Sequence, residues 1–131
     1  MALTAYPAVS SAILLIGCWA GADAAEWKVP ADAAAVVNPV AKTPEAINSG
    51  AQIYRGSCAV SHGEEGKGDG PGGTYFVPKP TNFTDAAVTA QSDGALFWKL
   101  ATGRNAMLGW KGTLSDEQRW QAVLFMRTLA R

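Results

Sequence analysis

The chain is poor in several residue types, and each shortage removes a class of function. It has two cysteines, Cys18 and Cys58, and a single histidine, His62. Cys18 lies in an apolar leader-like stretch, so the remainder keeps one cysteine and cannot close an internal disulfide. Lys and Arg total eleven, Asp and Glu total eleven, and no basic cluster stands out. A nucleic-acid footprint needs a concentrated positive field, so nucleic acid is excluded as a partner. No apolar run is long enough to span a bilayer. No internal repeat and no convincing strand pattern is present. The glycine-rich segment carries no Gly-Lys-Ser/Thr, which excludes a phosphate-binding loop.

What is present is a chain of 131 residues with 48% hydrophobic residues, enough for one globular domain. Fourteen glycines and seven prolines crowd towards its middle. That predicts a small core wrapped by long loops, with something other than side chains helping to fill its centre.

Residues 1–24 read as an export signal. The run "PAVSSAILLIGCWA" has the length of a signal's apolar region, and Ala22-Asp23-Ala24 offers an A-x-A cleavage site. A second reading is "LIGC", Leu15 to Cys18, which resembles a bacterial lipoprotein processing box and would lipidate Cys18 and tether the protein to a membrane. A third reading leaves the segment uncleaved, and all three place the domain outside the cytoplasm, in a periplasmic or similar exported compartment. Residues 25–42 read as an extended or irregular N-terminal arm that packs Trp27 on the domain, and residues 43–131 as the domain itself.

Three main helices are predicted. The first starts at Thr43 as N-cap, with Pro44 at the first helical position and Glu45 at the positive end of the dipole. Ile47, Ala51, Tyr54 and Cys58 share one face of it. The second, "SDGALFWKLAT", is capped by Ser92, stopped by Gly103, and turns Leu96, Phe97 and Leu100 inward. The third begins at Ser115 with a Ser-Asp-Glu-Gln capping box and carries Trp120, Val123, Leu124 and Met126 or Phe125 on its apolar face. Between the first two, six glycines fall from Gly63 to Gly73, with Pro71 among them and Pro78 and Pro80 after. A loop of that length in a small domain is functional or draped over something.

A lone histidine is most often a surface or satisfied core residue. His62 differs, because it follows a helical cysteine by four residues and ends a helix where the chain enters the glycine loop. The stretch "GSCAVSHG" is a Cys-x-x-Cys-His haem-attachment signature with Ser61 in place of the second cysteine. With Gly50, Tyr54, Ala59 and Gly63 it resembles the G-x-x-x-[FY]-x-x-x-C-A-x-C-H-G segment of class I c-type cytochromes, the small monohaem periplasmic carriers of bacteria. "KGDGP", "PKPTNFTD", "SDGALFWKLATGR", "AMLGWK" and "LSDEQRWQAVLFMRTL" resemble later pieces of such proteins in the right order, so the resemblance spans Trp27 to Leu129.

The resemblance implies an all-α cytochrome c fold around one haem c, and an electron carrier rather than an enzyme, working between redox protein partners. It implies His62 as proximal iron ligand and Met107 as distal ligand, with Met126 left as core filler. Ser61 marks the missing second thioether, so the haem is attached at most through Cys58, or held without a covalent bond. A proline carbonyl of "VPKP", with Pro78 chosen over Pro80, is expected to accept the Nδ1–H of His62. Trp110 either hydrogen-bonds a propionate or packs; Arg104 either faces a propionate or is solvated. Gly50 and Tyr54 would let the first helix cross the last against Phe125, and Phe97, Trp98 and Leu100 would be pocket wall or core. Leu108-Gly109 stands where such proteins often carry Pro after the methionine. The alternatives are a haem-based gas sensor with a labile methionine, or a cytochrome-fold binding module with non-covalent haem or none.

Overall fold

Three local signals place the long helices. In the computed structural model, which describes residues 27–130, the Thr43 side chain accepts from the Ala46 amide at 3.2 Å and opens α2, Pro44–Ser57. Ser92 accepts from Ala95 at 3.1 Å and opens α5, Asp93–Thr102, which stops at Gly103 with φ +65°. Ser115 opens α6, Asp116–Leu129, with both halves of the capping box made: Gln118 N–H to Ser115 Oγ at 3.2 Å and Ser115 N–H to Gln118 Oε1 at 2.9 Å. Each cap satisfies backbone donors that would otherwise lack a partner.

Three further one-turn helices separate the structure from the expectation. α1, Ala31–Ala34, lies in the arm that was read as extended or irregular. No side chain caps it; what holds it is tertiary packing against α5. α3, Ala59–His62, resumes the helix after a break at Cys58. α4, Ala86–Thr89, precedes α5. Among the described residues the fold is all-α; its single ladder-like contact is an isolated bridge between Arg104 and Met107. The expected leader, with its cleavage site near Ala24 and its alternative lipidation at Cys18, lies outside the described residues. No helix among those described is long and apolar enough to cross a membrane.

The main packing is α2 across α6. A Cβ on Gly50 would overlap the Gln121 carbonyl oxygen and stand 3.1 Å from the Phe125 Cβ, so only glycine allows this crossing. One turn on, Tyr54 is fully buried, its ring 5.2 Å from Phe125 and 6.2 Å from Phe83. Its hydroxyl donates to the Gly63 carbonyl at 2.7 Å, which satisfies the buried polar tip and ties α2 to the start of the glycine loop. Tyr54, Ala59, Phe83 and Met126 form one core cluster, with Cys58, Val88, Phe125 and Leu129 against it.

α5 joins this pair through Phe97, stacked on Trp120 at 3.9 Å. Arg127, in the last turn of α6, reaches Asp93 at 2.8 Å, the Thr89 carbonyl at 3.1 Å and the Gln91 carbonyl. One guanidinium therefore fastens α6 to the junction of α4 and α5. The chain from Gly63 to Phe83 has no helix beyond one 3₁₀ turn, Pro71–Gly73. It folds back on α3: Cβ atoms on Gly70 or Gly73 would run into the backbone of residues 59–61.

Candidate functional site

The helices and the two loops enclose a cavity of about 660 Å³, within the size range of small-molecule and cofactor sites. Cys58, Ser61, His62, Pro78, Met107 and Trp110 all line it. Residues distant in the chain, read from sequence as site candidates, thus meet around one space. A smaller chamber of about 100 Å³ shares Trp27, Cys58, His62, Thr81, Lys99 and Met107 with it, and adds Phe83, Leu96, Leu100 and Met126.

His62 is buried at the end of α3. Its Nδ1 lies 3.0 Å from the Thr81 carbonyl oxygen. A carbonyl only accepts, so Nδ1 carries the proton and Nε2 keeps its lone pair. The imidazole stacks on Phe83, with centroids 4.6 Å apart and planes 18° from parallel. Burial holds its pKa below the ordinary histidine value, and the Thr81 carbonyl partly opposes this. The result is a neutral, oriented ring with one nitrogen open to coordination.

The acceptor is therefore Thr81 and not Pro78. The loop is registered on the domain by Phe83, whose amide donates to the Gly66 carbonyl at 2.7 Å while its ring lies on the imidazole. That register brings residue 81 beside Nδ1 and leaves Pro78 on the exposed rim of the cavity. Phe83 and Thr81 fall inside "PKPTNFTD", but nothing in that run marks Thr81 over its neighbours, because the register comes from a partner far away in the chain.

Cys58 breaks the helix between α2 and α3, and burial pushes its thiol up to about 11. The thiol is un-ionised at neutral pH and placed in the cavity wall. Ser61, one turn on, is half-buried in the same wall, and its carbonyl accepts from Gly70 at 3.2 Å.

Met107 comes from the loop between α5 and α6. Arg104 and Met107 exchange backbone hydrogen bonds at 3.0 Å in each direction, with Asn105 at φ +54°, which makes a tight turn. The turn is folded onto the end of α5 by Trp110 N–H to the Leu100 carbonyl at 2.9 Å. Leu108, in the place where proline was expected, is 70% exposed. Met126 belongs to the core cluster, in keeping with its expected role as core filler.

Sequence reasoning did not assign Trp27, Lys79 or Lys99 to the site, although all three line the cavity. Lys79, Lys99 and Arg104 give the wall positive charge, and no acidic residue is among its lining. A neutral imidazole, a thioether, an apolar wall and cations fit a haem: soft and borderline donors suit its iron, and the cations suit its carboxylates.

A family model described as cytochrome C oxidase, cbb3-type, subunit III matches residues 45–126. The chain is 34% identical over 86 residues to the thiosulfate dehydrogenase of Stutzerimonas stutzeri (strain A1501), covering 63% of this chain and 27% of that protein. It superposes with a TM-score of 0.61 on a chain of the reducing HAO-like protein complex of Kuenenia stuttgartiensis, at 28% identity, covering 73% of this chain and 50% of that one. The chain thus spans about a quarter of the first relative and half of the second. The match over more than half of its length, on a fold with a cavity that collects His62, Met107 and Cys58, shows that the chain belongs to the cytochrome C oxidase, cbb3-type, subunit III family: it is a c-type cytochrome, an electron-transfer module whose cofactor is haem.

Proposed function

We propose that the chain carries single electrons on a haem iron held between His62 and Met107. The observation that carries this reading is the Nδ1–Thr81 hydrogen bond, which leaves Nε2 as the coordinating nitrogen in a cavity that the Met107 thioether also lines. Bound there, haem supplies a reversible ferric–ferrous couple, and a soft thioether ligand favours the ferrous side and raises the potential. The chain's own residues orient the imidazole, exclude water through Phe83, Leu96 and Leu100, and set cations around the cofactor's carboxylates. No substrate bond is made or broken.

Cys58 is the one covalent anchor. Its S–H would add across a vinyl double bond of the haem, sulfur to one carbon and hydrogen to the other, with no oxidant consumed. The Ser61 hydroxyl forms no thioether. The apolar side chains of Val60 and Leu108, which line the cavity and are 57% and 70% exposed, suit brief docking of a redox protein partner in an exported compartment. That both relatives are larger supports a donor or acceptor that is a larger oxidoreductase.

Acid-acetone extraction followed by pyridine haemochrome spectra tests the reading. Haem retained on the polypeptide, together with a low-spin His/Met spectrum, is expected. A five-coordinate spectrum sinks the His62/Met107 shuttle in favour of a gas-binding site; haem in the solvent fraction removes the thioether; haem in neither fraction removes the reading.

A further inference from the structure

We infer that Trp27, carried by an arm outside the family-matched stretch, is a positioning residue of the haem pocket that holds Lys99 and Arg104 at the cavity wall and closes the pocket on that side. This rests on the haem reading above. The family match begins at residue 45, and Trp27 lies eighteen residues before it. Yet Trp27 lines both the main cavity and the inner chamber, as do His62, Cys58 and Met107.

The arm is seated by three separate contacts. A Cβ on Gly94 of α5 would run into the carbonyl oxygens of Ala33, Val36 and Ala34, so α1 sits directly on the α5 backbone. Ser92 donates to the Ala34 carbonyl at 2.6 Å. Asn38 donates to the Trp120 carbonyl at 3.4 Å. This brings the Trp27 ring edge-on to Trp98, at 6.5 Å and 64°. The Lys99 ammonium then lies 5.3 Å from the Trp27 ring centroid and the Arg104 guanidinium 5.9 Å from it. Lys99 is also braced by Gln91, at 2.7 Å.

Two of the cavity's three lining cations therefore share one aromatic partner. The ring's negative face attracts both, and its bulk takes space that water would enter. Positive charge and dryness beside an iron both favour its ferrous form, so each effect raises the potential. The same closure protects the thioether of Met107 from displacement.

The test uses the haem-loaded protein, with haem content per chain measured first. Trp27→Ala should lower the midpoint potential and raise the affinity for imidazole, a probe that competes for the methionine position, by about tenfold. Trp27→Phe, which keeps a ring face, should restore most of both. Trp27→Leu, which keeps apolar bulk alone, should restore less. Gly94→Ala improves helix propensity but unseats the arm, so it should shift both readouts in the direction of Trp27→Ala and serves where that variant fails to load. Full haem content in Trp27→Ala with unchanged potential and unchanged imidazole affinity overturns the role of Trp27 while leaving the haem reading intact. Wild-type protein without haem overturns both.

Discussion

The Nδ1 of His62 and the carbonyl oxygen of Thr81 lie 3.0 Å apart, so the protonation of one ring nitrogen is set by a backbone atom nineteen residues away in sequence. No side-chain substitution at residue 81 removes that acceptor. What removes it is displacement of the loop, and Phe83 controls the loop.

Acid should therefore act through His62. Burial lowers its folded-state pKa below the unfolded value of 6.5. The unfolded chain then binds a proton before the folded one does, so stability is full above about pH 6.5 and is lost as pH falls from there through the folded pKa. Protonation also occupies the nitrogen that would ligate iron. In haem-free protein, urea unfolding should give constant stability above about pH 6.5 and falling stability as the pH drops below it, and stability that rises as the pH falls contradicts a buried neutral imidazole.

Ser61→Cys should restore a second attachment point. Ser61 lines the cavity one turn from Cys58, so the variant is expected to keep its haem through acid-acetone and to resist denaturant better than the parent. Mass spectrometry of the haem peptide reads the number of thioethers. One bond in both proteins would mean that residue 61 does not reach a vinyl group.

Gly50→Ala tests the crossing of α2 and α6. The added methyl meets the Gln121 carbonyl, which belongs to a helix backbone and cannot rotate away. A loss of about 3 kcal/mol or more is expected from such overpacking, measurable by urea unfolding. Tyr54→Phe, which removes only the hydrogen bond to Gly63, should cost about 1 kcal/mol.

Met107→Ala should abolish the His/Met signature and lower the potential, because the thioether favours ferrous iron. Met126→Leu, a volume-conserving change in the core cluster, should leave the spectrum unchanged and cost less than about 1.5 kcal/mol. In haem-free protein, alkylation of Cys58 at pH 8 should run about a hundredfold slower than that of a free thiol, since burial suppresses the thiolate.

What could be read from sequence was what is local. The caps at Thr43, Ser92 and Ser115 are hydrogen bonds across three residues, and the pairing of Gly50 with Tyr54 repeats at helical spacing. What escaped was settled at long range. Thr81 displaced Pro78 because a bond from Phe83 to Gly66 sets the loop register. α1 escaped because no cap announces it; its support is Gly94, sixty residues on. Trp27 was expected to pack on the domain, but its place at the cavity follows only once that arm is seated.

The serine at position 61 has one more consequence. A macrocycle with two vinyl groups offers Cys58 two points of attachment, related by turning the ring over. A second cysteine would choose between them by covalent geometry. With Ser61 in that place, the choice passes to the apolar part of the wall, Val60, Phe76 and Leu108 among it, because turning the ring over exchanges methyl and vinyl positions but leaves both carboxylates at one edge, where Lys79, Lys99 and Arg104 attract them equally in either orientation. The handedness of the finished cofactor becomes a property of the binding equilibrium, to be read in the ratio of two sets of porphyrin methyl resonances.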